Sequence, residues 1–334
     1  MQKKYILAYA TNDGMDMLTQ EDVQSLTHVN LAFGLIRDGL LNLSALTNLG
    51  RIDQFRQWNP DIRIVLSVGG WGAGGFSEMA MTQAGRDAFS ASCLEAVERY
   101  HLDGIDIDWE YPCSSQADIA SDPKDRENFT LLLQALRDRL GERSLSIAAG
   151  AGEYFIQGTE MEKVAAILDY VQVMTYDLRN GFTREAGHHA ALGASKGDAS
   201  GLNTRDMMEM FHRAGVPKEK LVVGAAFYSR RWTGVQDENH GLLQPAGSAG
   251  EGGPRYSDLT DDFIQEGGFT RYWDEDAQAA YLWNGSEFIS YESPEAIALK
   301  CRYVREEGFR GIMYWEHSCD ATHELLRTIH RELS

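Results

Sequence analysis

Residues Leu102–Pro112 read Leu-Asp-Gly-Ile-Asp-Ile-Asp-Trp-Glu-Tyr-Pro, and from Ile105 to Glu110 the stretch alternates between apolar and acidic side chains. The odd-numbered positions are apolar: Ile105, Ile107 and Trp109. The even-numbered positions, which we call the acid row, are Asp106, Asp108 and Glu110. Because successive side chains of a β-strand point to opposite faces, a strand here would hold the acid row on one face, with roughly 6–7 Å between neighbours.

A half-exposed strand with its acids in water would show the same alternation. Gly104 before the row and the Trp-Glu-Tyr-Pro segment after it argue against that interpretation. Aspartate is a poor strand former and is rarely buried without a partner. We therefore interpret the stretch as a strand that directs its acids into a reaction site.

The composition limits the possible partners. The chain has 334 residues, of which 43% are hydrophobic, enough for one large barrel with an insertion or for two average domains. The formal net charge of −19 argues against nucleic acid or an anionic membrane surface as a partner. No stretch approaches the ~20 apolar residues of a membrane-spanning helix. We expect a monomer without a nucleic-acid or membrane partner.

The N-terminal segment, residues 1–10, has two lysines and an apolar run that is too short for a signal peptide. We interpret it as a first strand, in a protein that is either cytoplasmic or a secreted form without its export signal. Cys113 and Cys319 both follow active-face strand ends and could approach each other, but we expect free thiols. The four cysteines are too few for a disulfide framework and include no Cys-x-x-Cys pair, so we expect no metal bound by them. They are Cys93, Cys113, Cys301 and Cys319.

Eight apolar, strand-like runs alternate with amphipathic stretches of helical periodicity. The runs are Tyr5–Ala10, His28–Ile36, Ile62–Gly69, Gly104–Glu110, Leu145–Gly150, Tyr170–Tyr176, Leu221–Tyr228 and Gly311–Glu316. Strands that alternate with helices pair in parallel through right-handed crossovers, and eight repeats favour a closed barrel over an open sheet. The predicted fold class is α/β, a (β/α)8 TIM barrel.

The interval between the last two predicted strands is much longer than the others. It contains a Gly-rich, loop-like segment, Gly241–Gly253, followed by three short strand patterns. These are Phe269–Asp274, Ala280–Asn284 and Phe288–Tyr291, the last two joined by an Asn-Gly turn. We predict a small α+β insertion subdomain at 231–292, within a catalytic barrel formed by 1–230 and 293–334.

The carboxyl ends of the strands and the loops after them form the active site of a (β/α)8 barrel, so the side chains at those ends should meet. Acids, tyrosines and tryptophans dominate, without a phosphate-binding loop, a Ser-His pair or a histidine cluster of metal-ligand spacing. The ends carry Tyr9, Phe33, Ser67–Trp71, Asp106–Tyr111, Met174–Asp177, Phe227–Arg230 and Met313–Glu316. Aromatic faces beside hydrogen-bonding acids suit a sugar ring, which has apolar faces and hydroxylated edges.

Glycoside cleavage needs a carboxylic acid that protonates the leaving oxygen and a group that stabilises positive charge at the anomeric carbon. Glu110, the last member of the acid row, is the best candidate for the general acid. Closely spaced carboxylates resist joint ionisation, so at least one should hold its proton near neutral pH. Asp108 could attack as a nucleophile or only assist, and the spacing leaves both roles open.

Four motifs resemble those of the glycoside hydrolase family 18 chitinases. Residues Asp103–Glu110 match the family signature Asp-x-x-Asp-x-Asp-x-Glu in full, and Ser67–Gly70 match Ser-x-Gly-Gly. Met174–Asp177 match Met-x-Tyr-Asp, and Trp315 corresponds to the tryptophan of the last strand. The resemblance covers nearly the whole chain, including the insertion between strands seven and eight that the deep-cleft chitinases carry.

This resemblance implies a retaining hydrolase whose substrate supplies the nucleophile. The N-acetyl carbonyl of the −1 sugar would attack the anomeric carbon and form an oxazolinium intermediate. Glu110 would act first as acid and then as base, Asp108 would orient the acetamide group, and Asp106 would share a proton with Asp108. Asp103, in a motif with Gly104, would brace the strand.

The resemblance also implies a sugar-binding pocket. Tyr176 would donate a hydrogen bond to the acetamide oxygen, Trp315 would form the floor of the −1 site, and Trp71 would stack on the +1 sugar. The other expected contacts are Tyr9, Phe33, Ser67, Gly70, Tyr111, Met174, Asp177, Tyr228 and Arg230. Neither a metal nor an organic cofactor is implied.

We expect endo-acting hydrolysis of chitin or of N-acetylglucosamine oligosaccharides. One alternative is an endo-β-N-acetylglucosaminidase acting on glycans or peptidoglycan, against which the groove-deepening insertion argues. Another is a chitinase-like lectin, against which the retained Glu110 argues.

Two further predictions rest on weaker sequence signals. We expect His188 and His189 to form a solvated loop pair, and the tryptophans of the insertion to line outer subsites or to pack its core. Those tryptophans are Trp232, Trp273 and Trp283.

Overall fold

The computed structural model describes residues 3–334. Met1 and Gln2, which begin the predicted N-terminal segment, lie outside the described residues. The strands are β1 (Tyr5–Ala10), β2 (His28–Arg37), β3 (Leu40–Asn42), β4 (Arg63–Gly69), β5 (Gly104–Asp108), β6 (Ser144–Gly150), β7 (Tyr170–Met174), β8 (Leu221–Ala226), β9 (Tyr228–Thr233), β10 (Glu251–Arg255), β11 (Thr270–Asp274), β12 (Ala279–Trp283), β13 (Glu287–Tyr291) and β14 (Gly311–Trp315).

Helices follow most of the strands and cover the outside of the sheet. They are α1 (Asn12–Met17), α2 (Gln20–Ser25), α3 (Ile52–Trp58), α4 (Phe76–Ala80), α5 (Gln83–Arg99), α6 (Asp125–Leu140), α7 (Glu153–Gln157), α8 (Met161–Ile167), α9 (Thr204–Arg213), α10 (Asp261–Glu266), α11 (Pro294–Glu306) and α12 (Glu324–Leu333). Within residues 3–334, none of them combines the length and apolarity needed to cross a bilayer.

Eight strands close into a parallel barrel in the order β1-β14-β8-β7-β6-β5-β4-β2, and β2 pairs back with β1. The predicted (β/α)8 barrel is therefore confirmed. β3 extends the sheet by pairing antiparallel with the end of β2.

Strand β5 divides its side chains between two environments, as the alternation predicts. Ile105, Ile107 and Trp109 belong to the apolar core between sheet and helices, where Trp109 stacks on Phe76 with ring centroids 5.2 Å apart. The acid row lies on the opposite face of the strand, toward the barrel interior. This orientation is shown by Asp106, whose side-chain hydrogen bonds go to Tyr9 and Ser146 inside the barrel. The predicted separation of the two faces is confirmed.

Four predicted barrel strands extend past the carboxyl ends of the observed ones, among them β8 and, by the single residue Glu316, β14. β5 ends at Asp108 rather than Glu110, and β7 ends at Met174 rather than Tyr176. For β5 the reason is its neighbour, since β4 ends at Gly69 and offers no further residue to pair with. Glu110 therefore stands in the loop just after its strand.

The insertion contains a second, antiparallel sheet in the order β10-β9-β13-β12-β11, together with α10, so the predicted small α+β subdomain is confirmed. The predicted strand Leu221–Tyr228 is wrong at its end, because β8 stops at Ala226 and Tyr228 already begins β9 of the second sheet. Part of the segment predicted as loop forms β10. The limits 231–292 stay a prediction.

Candidate active site

Asp106 lies fully buried at the centre of a hydrogen-bond network inside the barrel. Its Oδ2 accepts hydrogen bonds from Tyr9 Oη and Ser67 Oγ, both at 2.8 Å. Its Oδ1 accepts from Ser146 Oγ at 2.7 Å and from Gln172 Nε2 at 2.9 Å. Burial raises the pKa of Asp106 above its ordinary value, and the four hydrogen bonds oppose this increase without reversing it.

Asp108 is 4% exposed, and its Oδ1 has no hydrogen-bond partner in the described part of the chain. Burial, followed by the charges of Glu110 and Asp106, raises the pKa of Asp108 well above its ordinary value. All of these effects favour the protonated form of Asp108. The four hydrogen bonds of Asp106 go to other residues, so the expected sharing of a proton between the two aspartates stays a prediction.

Glu110 is 9% exposed and ends the acid row. Burial raises its pKa to about 7, although a hydrogen bond with Tyr111 lowers it and the charge of Asp177 adds to the increase. At neutral pH the carboxyl group is therefore close to half protonated. A group with this pKa can deliver a proton and take one back during a reaction near pH 7.

Aromatic side chains from five strands or strand ends surround the interior above the acid row. Trp315 stacks on Phe33 with ring centroids 5.3 Å apart, and its ring lies 5.7 Å from that of Tyr9. Tyr176 is buried and meets the ring of Tyr228 edge-on at 6.1 Å. These five residues belong to one cluster with Met174, so the structure brings half of the predicted sugar contacts together in that cluster.

Asp177 and Arg230 form a bidentate ion pair beside this cluster, with two N–H···O distances of 2.6 Å. Burial alone would raise the pKa of Asp177, but His189 and Arg230 hold it below its usual range. Asp177 is therefore a permanent negative charge near Glu110. Arg230 comes from β9, so the second sheet supplies part of the site.

The prediction that His188 and His189 form a solvated loop pair is wrong. Their exposed fractions are 2% and 0%, because the loop after β7 packs under the second sheet. His188 Nε2 lies 3.2 Å from Asp274 Oδ2, and the His189 backbone N–H donates to Ser290 Oγ at 2.9 Å. His189 thereby reaches the site, with its Nδ1 3.6 Å from Asp177.

An exposed aromatic strip extends outward from the site. Trp71 is 54% exposed, and its ring lies 6.2 Å from Tyr111 and 6.3 Å from Phe182. Phe182 is itself 64% exposed and was not predicted, since it lies in a loop away from any strand end. A cleft of about 320 Å³ opens beside Trp71; it is lined by Phe33, Leu35–Arg37 and Gly69–Gly74.

Two predicted glycines are explained by close approach. At Gly70, which has φ +93°, a Cβ atom would lie 2.7 Å from the Phe33 ring, so only glycine leaves room for that ring at the cleft. Gly104 begins β5, at the end of the strand that lies away from the pocket, and it packs against β6. Next to it, Asp103 Oδ2 accepts hydrogen bonds from Ile64 N at 2.7 Å and from Arg56 Nη2 at 2.8 Å. Asp103 and Gly104 therefore lie outside the pocket.

Two of the residues that hold Asp106 from below were not predicted from the sequence. Ser146 and Gln172 are polar residues at inward positions of otherwise apolar strands, which is the signal that could have identified them. Asn30 continues the network by donating to Gln172 Oε1 at 2.9 Å. In the insertion, Trp232 and Trp283 are buried in its core rather than lining the cleft.

The arrangement agrees with the comparisons to known proteins. The model of glycosyl hydrolases family 18 matches residues 5–320. The chain belongs to glycosyl hydrolase family 18.

The four cysteines are free thiols in the structure, as predicted.

Similar proteins of this family are chitinases and an N-acetylglucosaminidase. Chitinase A1 of Niallia circulans is 34% identical over 311 residues, covering 86% of this chain and 44% of that protein. The endochitinase of Manduca sexta is 28% identical over 309 residues, covering 84% of this chain and 55% of that protein. The chain thus spans about half the length of the curated relatives it matches.

A solved family 18 N-acetylglucosaminidase from Paenibacillus barengoltzii is similar over its full length. It superimposes with a TM-score of 0.96 at 46% sequence identity, covering 99% of this chain and 100% of that one.

Proposed function

We propose that this chain hydrolyses β-1,4-linked N-acetylglucosamine chains with retention, using the acetamide group of the substrate as the nucleophile. The supporting observation is the distribution of protons in the acid row. Glu110 has a pKa of about 7, and burial raises the pKa of Asp108 well above its ordinary value, which favours its protonated form. A protonated carboxyl group is a poor nucleophile, so the row provides a general acid but no ready attacking carboxylate.

In the proposed first step, Glu110 donates its proton to the glycosidic oxygen as the bond to the anomeric carbon breaks. The acetamide carbonyl oxygen attacks that carbon and forms the oxazolinium intermediate. Asp108 passes its proton toward Asp106 and then accepts a hydrogen bond from the acetamide N–H, which stabilises the positive charge. In the second step, the Glu110 carboxylate removes a proton from the water that opens the oxazolinium ring.

The aromatic cluster would hold the −1 sugar in place for this chemistry. Trp315 presents a flat face backed by the stacked ring of Phe33, which suits the apolar face of a pyranose. The Tyr176 hydroxyl would bond the acetamide oxygen, and the Asp177–Arg230 pair would contact sugar hydroxyls. Trp71 would stack on the +1 sugar, where its exposure leaves room for a longer chain.

Endo action is the mode that the insertion favours, because β9 carries Tyr228 and Arg230 to the site and the second sheet extends the wall beyond them. A second candidate is release of single N-acetylglucosamine units from chain ends. It is favoured by the full-length similarity to the Paenibacillus barengoltzii structure, which is described as an N-acetylglucosaminidase.

The test is product analysis of N-acetylglucosamine hexamer labelled at its reducing end, sampled at low conversion. Endo action predicts dimers to tetramers first, whereas the second candidate predicts monomer and pentamer. NMR of the fresh products should show the β anomer. Turnover of a glycopeptide or of peptidoglycan in preference to the hexamer would contradict the proposed substrate, and an initial α anomer would contradict retention.

A further inference from the structure

Three metal-ligating side chains converge outside the active site, near the top of β14. Asp22 comes from α2, His317 from the turn after β14, and His323 from the residue before α12. Their ligand atoms all lie within 4.8 Å of one another. His323 Nδ1 is 3.0 Å from Asp22 Oδ1, and His317 Nε2 is 3.7 Å from Asp22 Oδ2.

His317 is 2% exposed, yet its Nε2 has no hydrogen-bond partner among residues 3–334. The 3.7 Å separation from Asp22 is too long for a hydrogen bond. A buried polar atom without a partner costs about 1–3 kcal/mol, so it calls for an explanation.

The surroundings orient two of the three groups. The other ring nitrogen of His317, Nδ1, lies 3.0 Å from Tyr314 Oη, which leaves Nε2 as the nitrogen directed at Asp22. Asp22 Oδ2 is fixed by the Thr19 N–H at 2.8 Å and the Thr19 hydroxyl at 2.6 Å. A hydrogen bond on the far nitrogen of a histidine and on a ligand carboxylate is typical of metal sites.

We propose that Asp22, His317 and His323 form a binding site for a divalent transition metal, with Zn²⁺ the best match. Two imidazoles and one carboxylate suit zinc, whereas calcium and magnesium prefer oxygen ligands. Bonds of about 2.0–2.2 Å place tetrahedral ligand atoms about 3.3 Å apart. The ligand atoms of the three residues already lie within 4.8 Å of one another, so side-chain rotation would bring both imidazoles and one Asp22 oxygen around a single ion. His323 is at the surface edge of the cluster, where water can complete the coordination.

Such a site would join the first and last β/α units of the barrel. Asp22 lies in the crossover between β1 and β2, and the two histidines lie on either side of the turn that leads into α12. The two histidines are six positions apart, but Asp22 lies almost three hundred positions earlier in the chain, so the sequence alone does not bring the three residues together. The inferred role is stabilisation of the barrel closure, independent of the Glu110 chemistry.

The test is isothermal titration of the metal-free protein with Zn²⁺, in a Cys113→Ser background because Cys113 is an exposed thiol. One equivalent should bind. At a hundred times Kd, the midpoint of thermal unfolding should rise by about 4 °C. The variant His323→Asn should bind Zn²⁺ at least about 100-fold more weakly, because even the partners of metal ligands are worth about 10–100-fold in affinity.

His101→Asn is the matched control, since His101 and His323 both have positive φ, which asparagine tolerates, and His101 is exposed elsewhere. It should bind Zn²⁺ like the parent. The turnover of chitooligosaccharide by His323→Asn at low temperature should equal that of the parent. Equal Zn²⁺ binding by His323→Asn and the parent, or no binding by the parent, would overturn the proposal. Asp22→Asn provides a second variant if His323→Asn fails to fold.

Discussion

At the residue scale, the carboxyl group of Glu110 is the most direct target for substitution, because burial raises its pKa to about 7 and so keeps a proton available for catalysis. We expect Glu110→Gln to lower kcat by about 10²–10⁴-fold, because glutamine keeps the shape of the side chain but cannot deliver a proton. Binding of chitooligosaccharide should change little. Steady-state kinetics and calorimetric titration measure the two effects.

Glu238→Gln is the matched control, because Glu238 is exposed in a turn of the insertion. It should leave kcat unchanged. If Glu110→Gln retained more than a tenth of the parental kcat, Glu110 would not be the general acid.

The pH profile reports the same proton. A general acid works while it is protonated, so kcat/KM should be level below pH 7 and fall as the pH rises through the Glu110 pKa of about 7. Tyr111→Phe removes a hydrogen bond that lowers this pKa, so the falling limb should move to higher pH. Asp177→Asn removes a charge that raises it, so the limb should move to lower pH.

The opposite signs of these two shifts make the measurement decisive. Both variants can lose activity through altered sugar contacts, but such a loss lowers the profile without displacing it. Limbs that stay in place, or that move in the same direction, would show that the profile reports another group.

The acid row was predictable from the sequence because the alternation of strand side chains fixes which residues share a face. Ser146 and Gln172 were not predictable, since they meet Asp106 only through the pairing of β5 with β6 and of β6 with β7. His189 was misjudged for a related reason. Its burial depends on the second sheet, which begins almost forty positions later in the chain, at Tyr228.

At the scale of the elements, β5 must lie very close to β6 to aim the acid row. A Cβ atom on Gly104 would meet the Ser144 carbonyl oxygen at 2.0 Å, and the backbone there offers no way to relieve the clash without separating the strands. We expect Gly104→Ala to lower the free energy of unfolding by about 1–3 kcal/mol. Urea unfolding measures this loss, and kcat/KM should fall as well because the acids move.

Gly50→Ala is the control, since a Cβ atom there would have nothing within 4 Å. It should leave both the stability and kcat/KM close to the parental values. Equal stability of Gly104→Ala and Gly50→Ala would contradict the packing argument.

Strand positions were predictable from apolar runs, whereas strand ends were not. β5 ends where its neighbour β4 ends, and β8 ends where the chain leaves the barrel to begin β9 of the second sheet. Neither end can be recognised from the residues of the strand itself. The Gly-rich sequence of β10 lacks the side chains typical of strands, so only its pairing with β9 makes it one.

For the whole molecule, the eight-fold alternation of strand and helix patterns was sufficient to predict the barrel, and the one long interval was sufficient to predict the insertion. The shape of the whole site was not predictable, because it depends on how the ends of β2 and β4, the loop after β7 and the second sheet approach one another. The choice between endo action and release of single sugars depends on that shape.

The most direct test of the account compares an N-acetylglucosamine tetramer with the same tetramer deacetylated at the sugar bound in the −1 site. The two substrates share their ring, linkage and hydroxyl groups, but the second lacks the acetamide nucleophile. We predict that kcat/KM for cleavage after the deacetylated sugar falls by at least about 10³-fold, because the loss of a positioned intramolecular nucleophile removes a large rate advantage. Cleavage of both substrates at that position with similar kcat/KM would show that the enzyme supplies the nucleophile, and would contradict substrate assistance.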